Sequence, residues 1–195
     1  MSEAKSFRQL AGVPPSTAST KDSVLVIIDA QNEYAQGALK IKNVEASRKN
    51  IEDLLEKYRK DGGQVIHVVH QVPEGTPVFT PGTELAEEFA ELKPTGNEAV
   101  VKKIHPGSFA ETNLDSLLQK GGIKRLVLVG YMSHVCVSTT ARQAAQRGYD
   151  VLVVEDAIGD RDVPGASAEQ LVQTVCAELG DAFGTIIKTA EVKNA

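Results

Sequence analysis

Cysteine is scarce in this chain and tryptophan is absent. Of the 195 residues, two are cysteine, four are histidine and none is tryptophan. A chain of this length buries a sizeable core without disulfides, and a reducing compartment would keep both thiols free. Two cysteines cannot build a zinc site alone, and the histidines lack a ligand-like spacing such as HxxxH. We therefore expect no disulfide, no catalytic metal and no cofactor.

Clustered basic charge, long apolar runs and phosphate-binding motifs are also missing. The net charge is −5 and the 21 basic residues are scattered, which disfavours nucleic acid as a partner. No apolar run approaches the roughly 18 residues of a membrane span, and the first 22 residues lack the apolar core of a signal peptide. Neither GxGxxG nor GxxxxGK[ST] occurs. These absences favour a cytoplasmic protein that acts on a small molecule, away from membranes.

What the chain does contain is an alternation of short β-branched runs and amphipathic segments. Residues 1–22 show neither period and are predicted to be a partly flexible N-terminal arm, whereas residues 23–195 form one domain. Six apolar runs that do not alternate in polarity suit strands buried on both faces, which predicts a three-layer α/β/α fold with a six-stranded, mostly parallel sheet. The predicted strands are 24–28, 65–69, 99–101, 125–130, 150–156 and 184–188, and the helices are 43–60, about 111–119, 134–147 and 165–179.

A long connection joins the second and third predicted strands. Residues 71–98 contain four prolines and one predicted short helix around 83–91. An insertion of this length in a compact domain is more often a lid or an interface than an idle loop.

Three ionisable residues follow strand ends, where the ligand crevice of an open α/β sheet lies. Asp29 follows the first strand and is either a turn cap or a general base. Lys103 follows the third strand and is either a surface charge or a partner for a nearby anion. Cys136 would occupy the third position of a helix capped by Ser133, where the helix dipole stabilises a thiolate. Cys176, on an apolar helix face, fits a core residue.

Aromatic and polar residues near these strand ends are candidates for a cleft that binds a small planar or cyclic substrate. Their alternative role is packing between the sheet and its helices, particularly for the two phenylalanines. His67 lies inside a strand and fits a core position, and His70 stands at a strand end. The substrate-binding candidates are Gln31, Tyr34, Phe79, His105, Phe109, Tyr131 and His134.

Three blocks in this order carry a family resemblance: VLVIIDAQNEY, VVKKIHPGSFAETNLDSLL and LVLVGYMSHVCVSTTARQAAQRGYDVLVVEDAIGDRD. Across roughly residues 23–190 the chain resembles the isochorismatase-like cysteine hydrolase superfamily. The resemblance implies a six-stranded parallel sheet of Rossmann-like type and a catalytic triad of Asp29, Lys103 and Cys136. Cys136 would be the nucleophile, Asp29 the general base and Lys103 the electrostatic support for the charged pair.

The resemblance also implies details of the backbone near the nucleophile. It places a cis peptide bond at Tyr131-Met132 and an oxyanion hole made by the backbone N–H groups of Met132 and Cys136. Nicotinamidases of the superfamily carry a metal motif with histidines, whereas residues 30–64 contain no histidine here. A metal-dependent nicotinamidase is therefore disfavoured.

Three functions remain open at this point. The first is a cysteine hydrolase that cleaves a small amide, imide or ureide-like C–N bond through a thioester-type intermediate. The second is an isochorismatase that hydrolyses the vinyl ether of isochorismate to pyruvate and a dihydroxylated ring acid. The third is a catalytically silent binding or scaffold protein. Members of the superfamily commonly associate, so we expect a homo-oligomer, either a dimer or a tetramer.

Overall fold

The N-terminal arm lies against the domain that follows it. The computed structural model describes residues 4–195, so the first three residues of the predicted arm lie outside the described residues. A short helix, α1 (Phe7–Leu10), begins with a capping box made by Ser6 and Gln9. The Phe7 N–H donates to Asp181 Oδ1 at 2.7 Å, and further along the arm the Ser16 N–H donates to Thr185 Oγ1 at 2.9 Å.

A six-stranded sheet forms the centre of the molecule, and every strand pairs in parallel with its neighbours. The strand order is β3-β2-β1-β4-β5-β6, so the chain winds outward in both directions from the β1/β4 pair. In such sheets the ligand crevice opens where the winding reverses, at the carboxyl ends of these two strands. The strands are β1 (Val24–Ile28), β2 (Gln64–His70), β3 (Ala99–Lys103), β4 (Arg125–Gly130), β5 (Asp150–Ile158) and β6 (Thr185–Ile187).

Helices cover both faces of the sheet, which confirms the predicted three-layer α/β/α fold. One face packs on α3 through side chains such as Ile51, Leu54 and Tyr58. The other face packs on α4, α5 and α6, which contribute residues such as Leu118 and Leu179. The helices after α1 are α2 (Glu33–Gln36), α3 (Val44–Asp61), α4 (Leu114–Gly121), α5 (Ser138–Gln146) and α6 (Ala168–Ala182).

The long connection after β2 contains no α-helix, so the helix predicted around 83–91 is wrong. Two 3₁₀ turns, Glu84–Ala86 and Ala90–Leu92, stand there instead. The connection is tied to the sheet, because the Phe89 N–H donates to Ala30 O at 2.9 Å. Leucine and alanine give this segment a helical appearance, but its backbone bonds are those of short turns, such as the Glu87 N–H to Glu84 O at 3.1 Å, and of contacts with the chain just after β1.

The connection is also fixed by buried charge. His67 on β2 is fully buried, with Nδ1 2.9 Å from Glu88 and Nε2 3.2 Å from Glu98. Glu98 also receives two hydrogen bonds from Arg59 at 2.8 Å each. The interior of the connection at Glu88 is therefore tethered to β2, and its last residue, Glu98, is tethered to both β2 and α3. Among the described residues, no helix is both long enough and apolar enough to cross a membrane.

Candidate active site

Asp29, Lys103 and Cys136 come from three different strand ends. Asp29 follows β1 directly, with φ of +50° and its N–H donating to Val68 O at 2.8 Å. Lys103 is the last residue of β3. Cys136 lies in a π-helical turn, Ser133–Val137, which follows β4 and leads into α5. Aspartate tolerates left-handed backbone better than most residues, and such conformations concentrate at functional sites.

These three side chains meet in what we call the Asp-Lys-Cys cluster. Lys103 Nζ lies 2.7 Å from Asp29 Oδ2 and 3.5 Å from Cys136 Sγ. The exposed fractions are 0% for Asp29, 1% for Lys103 and 5% for Cys136. A buried ammonium ion thus contacts both a carboxylate and a thiol. Charges this deeply buried persist only when they are paired.

Burial controls the protonation state of the cluster. Removal from water raises the pKa of Asp29 above its ordinary value, and the Lys103 ammonium opposes that rise. Burial, with the negative charge of Asp29, raises the pKa of the Cys136 thiol to about 12, although Lys103 acts in the opposite direction. A thiol with a pKa of about 12 keeps its proton at rest.

The protonated Cys136 thiol differs from the stabilised thiolate that the sequence predicts. The helical turn begins at Ser133 and Met132 precedes it as the cap, so Ser133 is not the N-cap. Cys136 is therefore the fourth residue of a π-helical turn and not the third of an α-helix. Desolvation outweighs the helix dipole and the lysine at this depth.

His70, the last residue of β2, also contacts the cluster. Its Nδ1 lies 3.1 Å from Lys103 Nζ. Burial and the charge of Lys103 lower the pKa of His70 to about 4. The imidazole is therefore neutral at physiological pH, and Nδ1 accepts a hydrogen bond from the ammonium ion. Sequence reasoning missed this residue, although the strand-end rule that found Asp29 applies equally to His70.

Gln31 holds His70 in place and does not face a cleft. Its side chain accepts a hydrogen bond from His70 N at 2.9 Å and donates to His70 O at 3.1 Å and to Ala86 O at 2.8 Å. Gln31 is fully buried. Direct contact between this side chain and a substrate would require these bonds to break.

Three of the aromatic candidates pack together beside the cluster. The Tyr34 ring lies 5.2 Å from that of Phe79 and 5.6 Å from that of Tyr131. Tyr131 is buried, and its hydroxyl pairs with Ser47 at 2.8 Å. The pKa of Tyr34 is raised by burial and by the negative charge of Asp29, which places its hydroxyl within electrostatic reach of the cluster.

Phe79 is held by a carboxylate that the sequence did not single out. Glu33 is fully buried and accepts hydrogen bonds from Phe79 N at 3.0 Å and from Leu39 N at 3.1 Å. Phe79 adopts φ of +48°, and its ring lies 5.2 Å from that of His70. Glu33 therefore fixes the position of an aromatic wall next to His70.

His134 pairs with a buried aspartate. Its Nδ1 lies 2.7 Å from Asp160 Oδ2, and the same carboxylate accepts hydrogen bonds from the His134 N–H at 3.0 Å and from the Ser133 hydroxyl. Asp160 thus satisfies the start of the helical turn that carries Cys136. The tautomer that donates from Nδ1 leaves His134 Nε2 as an acceptor.

The last two substrate-binding candidates, His105 and Phe109, have other partners. His105 is partly exposed, with Nε2 3.4 Å from Glu111. Phe109 is buried against the Tyr149 ring, at 5.9 Å, and beneath the Arg147 guanidinium, at 4.8 Å. Phe109 therefore has the packing role that the sequence offered as the alternative to substrate binding.

One backbone feature that the family resemblance implies is present before Cys136. The Tyr131-Met132 peptide bond is cis, as predicted. Among residues 4–195, no group accepts a hydrogen bond from the Met132 N–H. Within the same residues, no three His, Cys, Asp or Glu side chains come close enough together to hold a metal ion.

Comparisons with known proteins agree with this geometry. Residues 23–191 match the model of the isochorismatase domain. The secreted isochorismatase effector Isc1 of Verticillium dahliae is 64% identical over 96% of this chain and 98% of its own length. The isochorismatase-like protein asqB of Emericella nidulans is 36% identical over 97% of this chain and 86% of its own.

A solved structure shows the same architecture. The crystal structure of an isochorismatase from Pseudomonas putida is 35% identical and superposes with a TM-score of 0.94, covering 97% of this chain and 100% of that one. The domain match spans most of the chain, from the start of β1 to the residues after β6. The protein belongs to the isochorismatase family of hydrolases.

Proposed function

We propose that the protein hydrolyses the vinyl ether of isochorismate, with Asp29 as the group that carries the proton. The observation on which this rests is the fully buried Asp29 carboxyl group, whose pKa burial raises beside a thiol that keeps its proton. A raised carboxyl pKa favours general-acid chemistry. The name of the 64% identical relative supports isochorismate as the substrate.

The proposed reaction needs no thiolate. Asp29, whose raised pKa lets its carboxylate take up a proton from solvent before the reaction, donates that proton to the terminal vinyl carbon, and the C=C electron pair forms the new C–H bond. Water adds to the resulting oxocarbenium ion and gives its proton to the Asp29 carboxylate. The hemiketal then breaks at the bond between its central carbon and the ring-bound oxygen, the carbonyl of pyruvate forms, and the hydroxyl proton ends on the ring-bound oxygen. The products are pyruvate and a dihydroxylated ring acid, and Asp29 is again protonated.

Lys103 has a defined part in this reaction. Its ammonium ion, 2.7 Å from Asp29 Oδ2, stabilises the carboxylate that forms when the proton leaves. The test is pyruvate release from isochorismate by the wild type and by Asp29→Asn. We expect the variant to lose at least about a thousandfold in kcat, because its amide cannot donate an acidic proton. Equal rates in the two proteins would refute the assignment.

A second candidate is hydrolysis of a small amide, imide or ureide-like C–N bond. The 3.5 Å contact between Lys103 Nζ and Cys136 Sγ favours it, since an ammonium ion stabilises a thiolate as it forms. Sγ would attack the carbonyl carbon while Asp29 takes the thiol proton, and the N–H groups of Met132 and Cys136 would bind the oxyanion. Asp29 would then protonate the leaving nitrogen and activate water against the thioester, and the proton of that water returns to Sγ.

Cys136→Ala separates the two candidates. C–N hydrolysis through a thioester would lose at least about a thousandfold in kcat in this variant, whereas vinyl ether hydrolysis by Asp29 would survive within about tenfold. Cys176→Ser is the matched control, because that thiol lies on α6 away from the cluster. Family membership supports a hydrolase, and no observation among the described residues favours the silent scaffold.

Self-association is also part of this proposal. β3 lies at the edge of the sheet. Val100 on this strand is 42% exposed, and Ile104, the first residue after it, is 60% exposed. The exposed Lys102 stands between them, and exposed apolar side chains at a sheet edge are typical of contact surfaces. Light scattering during size-exclusion chromatography should give the mass of a dimer or tetramer. A monomer at micromolar concentration would contradict this.

We propose a cytoplasmic location from the sequence alone. The 64% identical relative is named a secreted effector, so the two locations need a direct comparison. Immunoblots of cell extract and culture filtrate from the source cells distinguish them. We expect the protein in the extract, and its accumulation in the filtrate would refute this expectation.

A further inference from the structure

We propose that His70 is a substrate-binding residue whose Nε2–H donates a hydrogen bond to an oxygen of a flat, ring-bearing carboxylate. This deepens the proposed function and rests on it, because it assigns a binding role to a residue whose Nδ1 contacts the Asp-Lys-Cys cluster.

The contact with Lys103 fixes the tautomer. An ammonium ion has only donors, so His70 Nδ1, 3.1 Å from Lys103 Nζ, must act as an acceptor. The ring proton of a neutral imidazole then lies on Nε2. The lowered pKa of His70 agrees with this neutral form.

The Nε2 atom is available to a ligand. Within residues 4–195 it makes no hydrogen bond, and it is not among the side-chain nitrogens sealed from solvent. His70 lines a surface cleft whose other walls are mainly apolar. An unpartnered donor in such a cleft favours ligands that bring an acceptor. The walls include Val72, Phe79 and Pro81.

The shape of the cleft favours a flat group. The Phe79 ring lies 5.2 Å from the His70 ring at an interplanar angle of 59°, and Glu33 fixes the Phe79 backbone through its N–H. Aromatic and aliphatic walls bind a planar ring through its faces. Lys103 is paired with Asp29, but its hydrogen bond to His70 Nδ1 polarises the imidazole, which makes the Nε2–H a stronger donor to an anionic oxygen.

His70 is held rigidly enough to select its ligand. Gln31 bonds to both the N–H and the C=O of His70, at 2.9 and 3.1 Å. The Gln31 clamp fixes the His70 backbone, and the Lys103 contact fixes the ring at Nδ1. A donor held in this way discriminates against ligands that lack the matching acceptor.

Two substitutions separate binding from structure. In His70→Asn the amide can still accept from Lys103 near the Nδ1 position but nothing reaches the Nε2 position, whereas in His70→Gln an amide N–H can reach the Nε2 position. With isochorismate as substrate, we expect His70→Asn to raise KM by about ten- to a hundredfold with kcat within about threefold. His70→Gln should restore KM to within about threefold of the wild type. A merely structural role would move kcat and thermal stability as well, without this rescue.

A binding experiment tests the inference independently of turnover. Benzoate, a flat ring with a carboxylate acceptor, is titrated by calorimetry into Cys136→Ala protein with and without His70→Asn. We expect saturable binding that weakens at least tenfold in the double variant. No saturable binding, or equal affinity in both proteins, would overturn the inference. Benzoate binding that depends on His70 in a protein that releases no pyruvate would refute the proposed reaction alone.

Discussion

Removal of the Lys103 ammonium ion should destabilise the protein far more than removal of a surface charge. Lys103 Nζ lies 2.7 Å from Asp29 Oδ2 with both side chains buried. At this distance, with an effective dielectric constant of about 20, the attraction is about 6 kcal/mol. In Lys103→Met the Asp29 carboxylate stays buried without its partner, and it escapes part of this cost by taking up a proton. We therefore expect a loss of about 3 to 5 kcal/mol in the free energy of unfolding.

A double-mutant cycle measures this coupling. Urea unfolding at pH 7.5 is compared for the wild type, Lys103→Met, Asp29→Asn and the double variant. Each single substitution leaves one buried charge alone, whereas the double variant leaves none, so its loss should be clearly smaller than the sum of the two single losses. We expect a coupling energy of at least about 2 kcal/mol. Additivity within about 0.5 kcal/mol would show that the two charges do not stabilise each other, and the account of the cluster would be refuted.

Two further predictions concern protonation. In Cys176→Ser protein, the rate of Cys136 alkylation by iodoacetamide should rise roughly tenfold per pH unit from pH 6 to 9. The reason is that the thiolate fraction of a thiol with a pKa of about 12 does not level off in this range. A rate that levels off near neutral pH would indicate a resting thiolate. Hydrogen bonds from Arg59 lower the pKa of Glu98 to about 2 from 4.5, so the stabilisation by Glu98 is complete above pH 4.5 and is lost as the pH falls towards 2. Acid unfolding of Glu98→Gln should therefore show a shallower loss of stability than the wild type over this range, and identical slopes would contradict the assignment.

The sheet was predictable because its strands are buried on both faces. Runs such as VLVII and RLVLVG have no polar alternation, and their bounds match β1 and β4. The connection between β2 and β3 was not predictable in the same way. Its conformation depends on Glu88 and Glu98 contacting His67, and such contacts between distant residues leave no local pattern in the sequence.

The cluster itself was partly predictable. Parallel strands bring their carboxyl ends to one edge, so Asp29 and Lys103 could be placed near Cys136 from the strand pattern alone. The protonation state could not, because it depends on burial that only the packed structure defines. For the same reason Gln31, expected to contact substrate, instead clamps His70.

The central claim is that Asp29 carries the proton while the Cys136 thiol stays neutral at rest. It is tested most directly by pyruvate release from isochorismate, measured side by side with equal concentrations of wild type, Cys136→Ala and Asp29→Asn. The account predicts release by the wild type, release within about tenfold of it by Cys136→Ala, and a loss of at least about a thousandfold in Asp29→Asn. Undiminished release by Asp29→Asn, or no release by the wild type, would contradict it.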